Sequence, residues 1–324
     1  MKQRNWKEIP ITEIEGFSIG NAEYEGTGCT VILMNPAAMT GVDIRGGGPA
    51  SREAALLNPL AANDAVNAIL LSGGSAFGLA AADGVMKYLE ERNIGFPTDY
   101  GVVPIVCASC LFDLPVGDAS IRPDAALGYQ ACMNAGNFQE GNYGAGTGAS
   151  CGKLGGIEMA MKSGLGAFAV QVGDLKVGAV VAANPLGNIT DPDDGTILAG
   201  MHDNAFQFLD EEDYLLAMAE EESAYSYHHA NTTLAAVITN AKFSKTELTK
   251  IAGVAHNGYA RAIRPVHTVY DGDSIYAVST GAVTADITAV SVLASLVVSR
   301  AIVSAAMHAE SAYGLAGLAS MQER

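Results

Sequence analysis

Asn231-Thr232-Thr233-Leu234-Ala235-Ala236-Val237-Ile238-Thr239 is the stretch on which the reading of the fold turns. The residues before it, Ala224 to Asn231 (AYSYHHAN), follow neither a helical nor a strand period and read as an exposed connection. At Thr232 a β-prone apolar run starts abruptly. It does not alternate between apolar and polar residues, so both of its faces require cover. A strand of this kind lies inside a sheet with packing on either side. The architecture it predicts is stacked sheets between layers of helix.

The rest of the chain fits that frame. Cys29 to Met34 and Ala65 to Leu71 read as strands, and a helix is expected over about Ser75 to Arg92, capped by Ser72 or Ser75. Gly166 to Val172 and Val177 to Ala183 flank Gly173-Asp174, the signature of a hairpin. Asp210 to Glu222 is acidic with the spacing of a surface helix. Ser244 opens another helix, with Glu247 three residues on in capping-box position and Leu248, Ile251, Ala252, Ala255 and Tyr259 at helical period. A strand over Ser274 to Ser279 and a long helix from about Thr284 to His308 complete the chain. No repeat or proline-rich linker divides it, so one domain over 1–324 is expected.

Composition narrows the function classes. The 324 residues are 49% hydrophobic, enough for a large core. A net charge of −17 repels nucleic-acid phosphate and anionic membranes, which argues against nucleic-acid and membrane partners. The apolar stretch Ile287 to Ser299 is shorter than a membrane span and reads as a buried core helix. Met1 to Glu15 has no apolar signal core. An odd number of cysteines, five, points to a reducing cytoplasm, and Cys107 and Cys110 read as buried thiols rather than a redox or metal pair.

Familiar motifs are approached and not completed. Gly148-Ala149-Ser150-Cys151-Gly152 has the letters of a nucleophile elbow, but a glycine-rich loop leads into it instead of a strand. The same stretch ends in Gly152-Lys153 like a phosphate loop, yet Leu154 replaces the magnesium-binding hydroxyl. The loop around Gly146 and Gly148 is either a tight turn or a substrate- or oxyanion-facing loop. None of the six histidines sits in a metal-binding context, so no metal is expected. Asp271 and Asp273 fall on the same side of an extended segment. They are either a polar turn or a pair that orients an amine and moves protons.

The junction itself offers one chemistry. A hydroxyl at a strand start can attack the carbonyl just before it, and hydrolysis of the resulting ester leaves a new N-terminal threonine. Its α-amine titrates near neutrality, so nucleophile and base share one residue.

Six ordered blocks give this chemistry a setting. They are Val42-Asp43-Ile44-Arg45-Gly46-Gly47; Ser72-Gly73-Gly74-Ser75-Ala76-Phe77-Gly78-Leu79 with Ala82-Asp83-Gly84-Val85; Gly144 to Gly148 with Gly152-Lys153; Ala182-Ala183-Asn184-Pro185-Leu186-Gly187; Asn231-Thr232-Thr233-Leu234; and Asp271-Gly272-Asp273-Ser274. In these the chain resembles the L-aminopeptidase/D-esterase (DmpA) family, which includes β-peptidyl aminopeptidases and nylon-oligomer hydrolases. The resemblance implies an α+β fold, an αββα sandwich of the N-terminal-nucleophile type shared with ornithine acetyltransferase. It implies cleavage at Asn231-Thr232 into an α-chain, 1–231, and a β-chain, 232–324, and a homo-oligomer, tetramer or larger, without metal or organic cofactor. By the same resemblance Thr232 matches the nucleophile and Asn184 an oxyanion- or substrate-holding residue. Lys153 matches a site lysine of the nylon-hydrolase branch, and Asp271 and Asp273 a pair anchoring the new α-amine. Phe112 stands where relatives often carry tyrosine and has no phenolic hydroxyl to give.

The expected function is thus a self-cleaving aminopeptidase or amidase acting on small peptides, amides or esters through an acyl-enzyme on Thr232. Two rivals differ in kind: an acyltransferase of the ornithine acetyltransferase type, and an uncleaved binding protein with no enzymatic activity.

Overall fold

A computed structural model of the chain describes residues 5–220 and 231–322. Its main sheet is built from β1 (Lys7–Ile9), β2 (Phe17–Tyr24), β3 (Thr27–Ile44), β4 (Ala50–Arg52), β5 (Ala65–Ser72), β6 (Val106–Cys110), β7 (Leu165–Val172), β8 (Leu175–Asn184), β9 (Thr232–Ala241) and β10 (Ser274–Val283). The helices are α1 (Ala81–Glu90), α2 (Ala125–Met133), α3 (Glu211–Glu220), α4 (Lys245–Ala262), α5 (Ile287–Met307) and α6 (Leu318–Gln322).

Hydrogen bonding links the strands in the order β1-β7-β8-β9-β10-β3-β5-β6-β4, with β2 also on β3. The 18-residue β3 belongs to two leaves. Its first part, Thr27 to Met34, pairs with β2 and its Cys29 to Leu33 also with β5; its last part, Met39 to Ile44, pairs with β10. The register breaks between Leu33 and Ala38, around the cis Asn35-Pro36 bond. The strand therefore folds one leaf over the other.

The first leaf carries β1, β7, β8, β9 and β10, the second β2, β5, β6 and β4, and three apolar layers follow. Between the leaves, Ile32, Ile69, Leu71 and Cys107 meet Val180, Leu234, Ala236 and Tyr276. Outside the first leaf, Val181, Ala235, Val237 and Ile275 pack on α4 and α5 through Leu248, Ile251, Val290 and Val297. Outside the second, Val31, Leu70 and Ala108 pack on α1 and α2 through Val85, Leu127 and Ala131. The result is an αββα sandwich. It also accounts for the unbroken apolar run of β9: Leu234, Ala236 and Ile238 enter the middle layer, and Ala235 and Val237 face the helices. Successive side chains of a strand point to opposite sides, and here both sides are core.

The expected hairpin forms, with Val172 opposite Leu175 across the Gly173-Asp174 turn. The Ser244/Glu247 capping box forms in full at α4. Two expectations need correction. The helix expected from Ser75 begins as a 3-10 segment, Ser75–Ala80, and turns α-helical only at Ala81, with neither serine capping it. Ser75 sits at φ +54°, a left-handed conformation outside the right-handed α range, and the Ser72 hydroxyl is spent on the Gly73 carbonyl. The exposed connection expected over Ala224 to Asn231 lies outside the described residues except for Asn231, which is fully buried. The helix α5 is long and apolar enough to cross a membrane, but Val290, Ala294, Val297, Ala301 and Ala305 pack it onto the first leaf. The five cysteines are free and buried, and burial pushes the Cys107 thiol up to about 12.

Candidate active site

The continuous chain enters β9 at Thr232, opposite Asn184 at the end of β8. The loop before β10 closes around the junction from the other side. Asn231 donates its N–H to the Tyr270 carbonyl (2.7 Å) and accepts the Gly272 N–H on its own carbonyl (2.8 Å). The Thr232 hydroxyl bonds that same carbonyl oxygen. A side-chain hydroxyl and a backbone donor thus meet on one peptide carbonyl. Thr232 is 2% exposed, so bulk water is excluded from the junction. Gly272 has to be glycine here, because a Cβ on it would lie 2.5 Å from Thr232 Oγ1 and 2.9 Å from the Gly48 carbonyl.

The two aspartates brace this arrangement. Asp273 accepts the Thr233 N–H on Oδ1 (2.8 Å), and its Oδ2 bonds His267 Nδ1 (2.8 Å). Asp271 accepts the N–H groups of Leu186 (3.2 Å) and Thr268 (3.0 Å) and the Thr268 hydroxyl (2.5 Å). Burial, reinforced by Asp273, raises the Asp271 carboxyl above its usual range. Asp273 thus holds backbone just past the junction, and Asp271 holds the Leu186 and Thr268 loops beside it.

Asn184 sits at the centre of the polar cluster. Its Oδ1 accepts the Ser150 N–H (3.0 Å) and Lys153 Nζ (2.7 Å), and its Nδ2 donates to the Phe112 carbonyl (2.9 Å). One of the two Nδ2 hydrogens of Asn184 goes to Phe112, and the donor on the Asn231 carbonyl is the Gly272 N–H. Phe112 contributes through its backbone, for which the missing phenol is immaterial. Lys153 also donates to the Asn184 carbonyl (3.1 Å). Desolvation pulls its amine down to about 7, against the opposing pull of Asp271 and other neighbouring groups. A neutral amine has two hydrogens for these two bonds and keeps a lone pair for a proton.

Gly146 and Gly148 lie against backbone. A Cβ on Gly146 would strike the Leu165 N–H, and one on Gly148 the Gly26 carbonyl and the Asp113 side chain. The buried Lys162 amine donates to the Gly146 carbonyl (2.8 Å) and fixes the loop from beneath. Asp113, which lies against Gly148, accepts the Gly74 N–H (2.6 Å) and the Thr27 hydroxyl (2.7 Å), and burial lifts its carboxyl to about 6.

Three contributors were not anticipated from sequence. Gly272 carries the donor on the Asn231 carbonyl; its one signal is a glycine between two aspartates. His267 bonds Asp273 and had no metal or triad context to mark it. Glu211, first residue of α3, is 1% exposed and accepts the Leu154 N–H (3.3 Å). Burial raises its carboxyl to about 8, so it is neutral at pH 7. Its acidic neighbours Glu212 and Asp213 made the whole segment look solvated.

A nucleophilic hydroxyl, a carbonyl held by an N–H donor and an amine titrating near neutrality are the parts an acyl-transfer step requires. Comparison with known proteins agrees in kind. The profile of peptidase family S58 matches residues 10–320. An uncharacterized aminopeptidase of Mycobacterium tuberculosis is 40% identical over 290 residues, 84% of this chain and 82% of that protein. The 6-aminohexanoate-oligomer endohydrolase of Agromyces sp. is 35% identical over 280 residues, 85% of this chain and 76% of that one. The L-aminopeptidase D-Ala-esterase/amidase of Ochrobactrum anthropi, described as a variant of the Ntn hydrolase fold, superposes with a TM-score of 0.67 at 18% identity, over 93% of this chain and 86% of that one. That last likeness speaks for the fold, while the profile and the two relatives speak for the family: the chain belongs to peptidase family S58, a hydrolase acting on peptide or amide bonds.

Proposed function

We propose that the chain cleaves itself between Asn231 and Thr232 and then works as an aminopeptidase or amidase with Thr232 as nucleophile. The observation that carries this reading is the Asn231 carbonyl, which receives both the Thr232 hydroxyl and the Gly272 N–H. Thr232 Oγ1 attacks the Asn231 carbonyl carbon, and the Lys153 amine accepts the hydroxyl proton. The oxyanion develops against the Gly272 N–H. The carbon–nitrogen bond breaks, the Thr232 nitrogen leaves as an amine carrying the proton, and an ester joins Asn231 to Thr232 Oγ1. Water hydrolyses that ester to the Asn231 carboxylate and a free Thr232.

The new α-amine lies beside its own hydroxyl and serves as base toward an external amide or ester carbonyl. The acyl group passes to Thr232 Oγ1, the amine or alcohol departs, and water releases the acid. Small peptides and linear amides are the substrate class, a reading supported by relatives named an aminopeptidase and a 6-aminohexanoate-oligomer endohydrolase.

Intact mass measurement of the denatured protein tests the reading. The expected result is two species, Met1–Asn231 and Thr232–Arg324, with a single full-length species for Thr232→Ala. A wild-type chain that stays whole on prolonged incubation, or a Thr232→Ala chain that still splits there, contradicts it.

A further inference from the structure

Thr233, next to the nucleophile, is clamped at both backbone groups. Its N–H goes to Asp273 Oδ1 (2.8 Å) and its carbonyl accepts the Tyr259 hydroxyl (3.1 Å). The other oxygen of Asp273 is gripped twice by His267, at Nδ1 (2.8 Å) and at the backbone N–H (3.3 Å). His267 adopts φ +56°, a left-handed conformation that costs a residue with a Cβ free energy and persists only where the surroundings impose it. Its ring lies between Tyr259 (centroids 5.8 Å apart) and His256 (4.7 Å), and His256 Nε2 is in turn bonded to the Asp43 carbonyl (3.1 Å). Asp273 accepts at both oxygens, so His267 Nδ1 carries a hydrogen and donates it.

We propose that His267 is a positioning residue for the reaction at Thr232: its Nδ1–H fixes the Asp273 carboxylate so that the other oxygen takes the Thr233 N–H, which sets the position of Thr232 Oγ1. The idea rests on Thr232 being the nucleophile. Without the imidazole, Oδ2 would keep only the long backbone N–H of His267 (3.3 Å), and the carboxylate could turn about its terminal torsion and carry the strand end with it. His267 removes that freedom. The arrangement parallels an orienting group that acts on a catalytic group through one hydrogen bond, except that here the relay ends on backbone. His267 touches neither the Asn231 carbonyl nor Thr232, so its effect falls on rate through Asp273.

The test follows self-cleavage of freshly translated chain by intact mass, for wild type, Thr232→Ala, His267→Phe and His267→Asn. Phenylalanine fills the ring space without a donor, whereas the asparagine Nδ2 lies close to where the histidine Nδ1 was. His267→Phe is expected to slow conversion about tenfold or more, the order of loss that misplacement of a reacting group brings. His267→Asn should stay within about threefold of wild type. In an Asp273→Asn background the Phe substitution should add little, because both changes break one relay. Should His267→Phe fail to fold, His267→Ala with added imidazole replaces it. Imidazole, which has an N–H, should restore the rate, and 1-methylimidazole, which has none, should not.

The proposal is overturned if His267→Phe keeps the wild-type rate, if Phe and Asn are slowed equally, or if both imidazoles rescue alike. In those cases wild type still splits at Asn231-Thr232 and the nucleophile reading stands. If wild type itself does not split there, that reading falls and takes the role of His267 with it.

Discussion

At the scale of single residues, Gly272 and Lys153 carry the most exposed claims. A Cβ on Gly272 would press on Thr232 Oγ1, so Gly272→Ala has to displace either the Thr232 hydroxyl or the Gly272 N–H. Loss of one such donor costs about 100-fold or more in rate. Self-cleavage of Gly272→Ala, timed by gel, should fall by that order while the chain still folds; a wild-type rate refutes the donor role. Gly272 was visible in the sequence as part of Asp271-Gly272-Asp273, but only as a turn residue. What it does depends on Asn231 folding against it from 41 positions away, and no local pattern records that. The titration of Lys153 gives a second prediction. Its folded value is lowered to about 7 by desolvation, so the amine is protonated below that pH and a base above it. Self-cleavage should therefore rise with pH through about 7 and level off, and Lys153→Met should lose both the limb and most of the rate. A rate that falls as pH rises through this window would put the sign, and the role of the amine, in error.

At the scale of elements, legibility follows how many faces a segment buries. The strand β9 could be read because both its faces are core, which leaves an unbroken apolar run. The α4 start could be read because a capping box is a local bond pattern. The division of β3 between two leaves left no trace in periodicity, since residues on either side of Pro36 remain strand-like; only the change of partners, from β2 and β5 to β10, reveals it. The helix α3 was recognised as acidic, but its buried first residue was hidden among solvated carboxylates. Glycine reports a further feature of the elements, the closeness of helix to sheet. A Cβ on Gly166 in β7 would strike the Ala301 carbonyl and the Ala305 backbone of α5. Gly166→Val should therefore destabilise by about 1–3 kcal/mol, the usual cost of overpacking. Gly173 in the β7–β8 turn has open space and φ +58°, a conformation that asparagine tolerates. Gly173→Asn should leave the melting temperature within about a degree or two, which corresponds to under about 0.5 kcal/mol. Thermal unfolding of the two variants side by side decides the matter, and equal losses would mean that the α5–β7 approach is not what the glycine serves.

At the scale of the whole molecule, the junction lies in the centre of the sandwich. The strand β9 is hydrogen-bonded to β8 on one side and β10 on the other, and of the main-sheet strands only β10 follows it, together with α4, α5 and α6. A cut before Thr232 thus divides the middle apolar layer. The later fragment would contribute Leu234, Ala236, Ile238, Tyr276 and Val278 to it, and the earlier one Ile32, Ile69, Leu71, Val180 and Ala182. Separating them would expose both sets to water, at roughly 1.5–3 kcal/mol for each large side chain uncovered. It would also strip the β8–β9 and β3–β10 ladders of their partners. The cut removes one covalent link and none of these contacts. The two fragments should therefore migrate as one species in native size-exclusion chromatography and native mass spectrometry, and should part only in denaturant. Denatured fragments mixed after separate purification should regain the native state slowly or not at all, because the intact precursor folds with both halves at high effective concentration. Fragments that elute apart without denaturant would show that the middle layer is not the bond between them, and would place the cut elsewhere than the entry to β9.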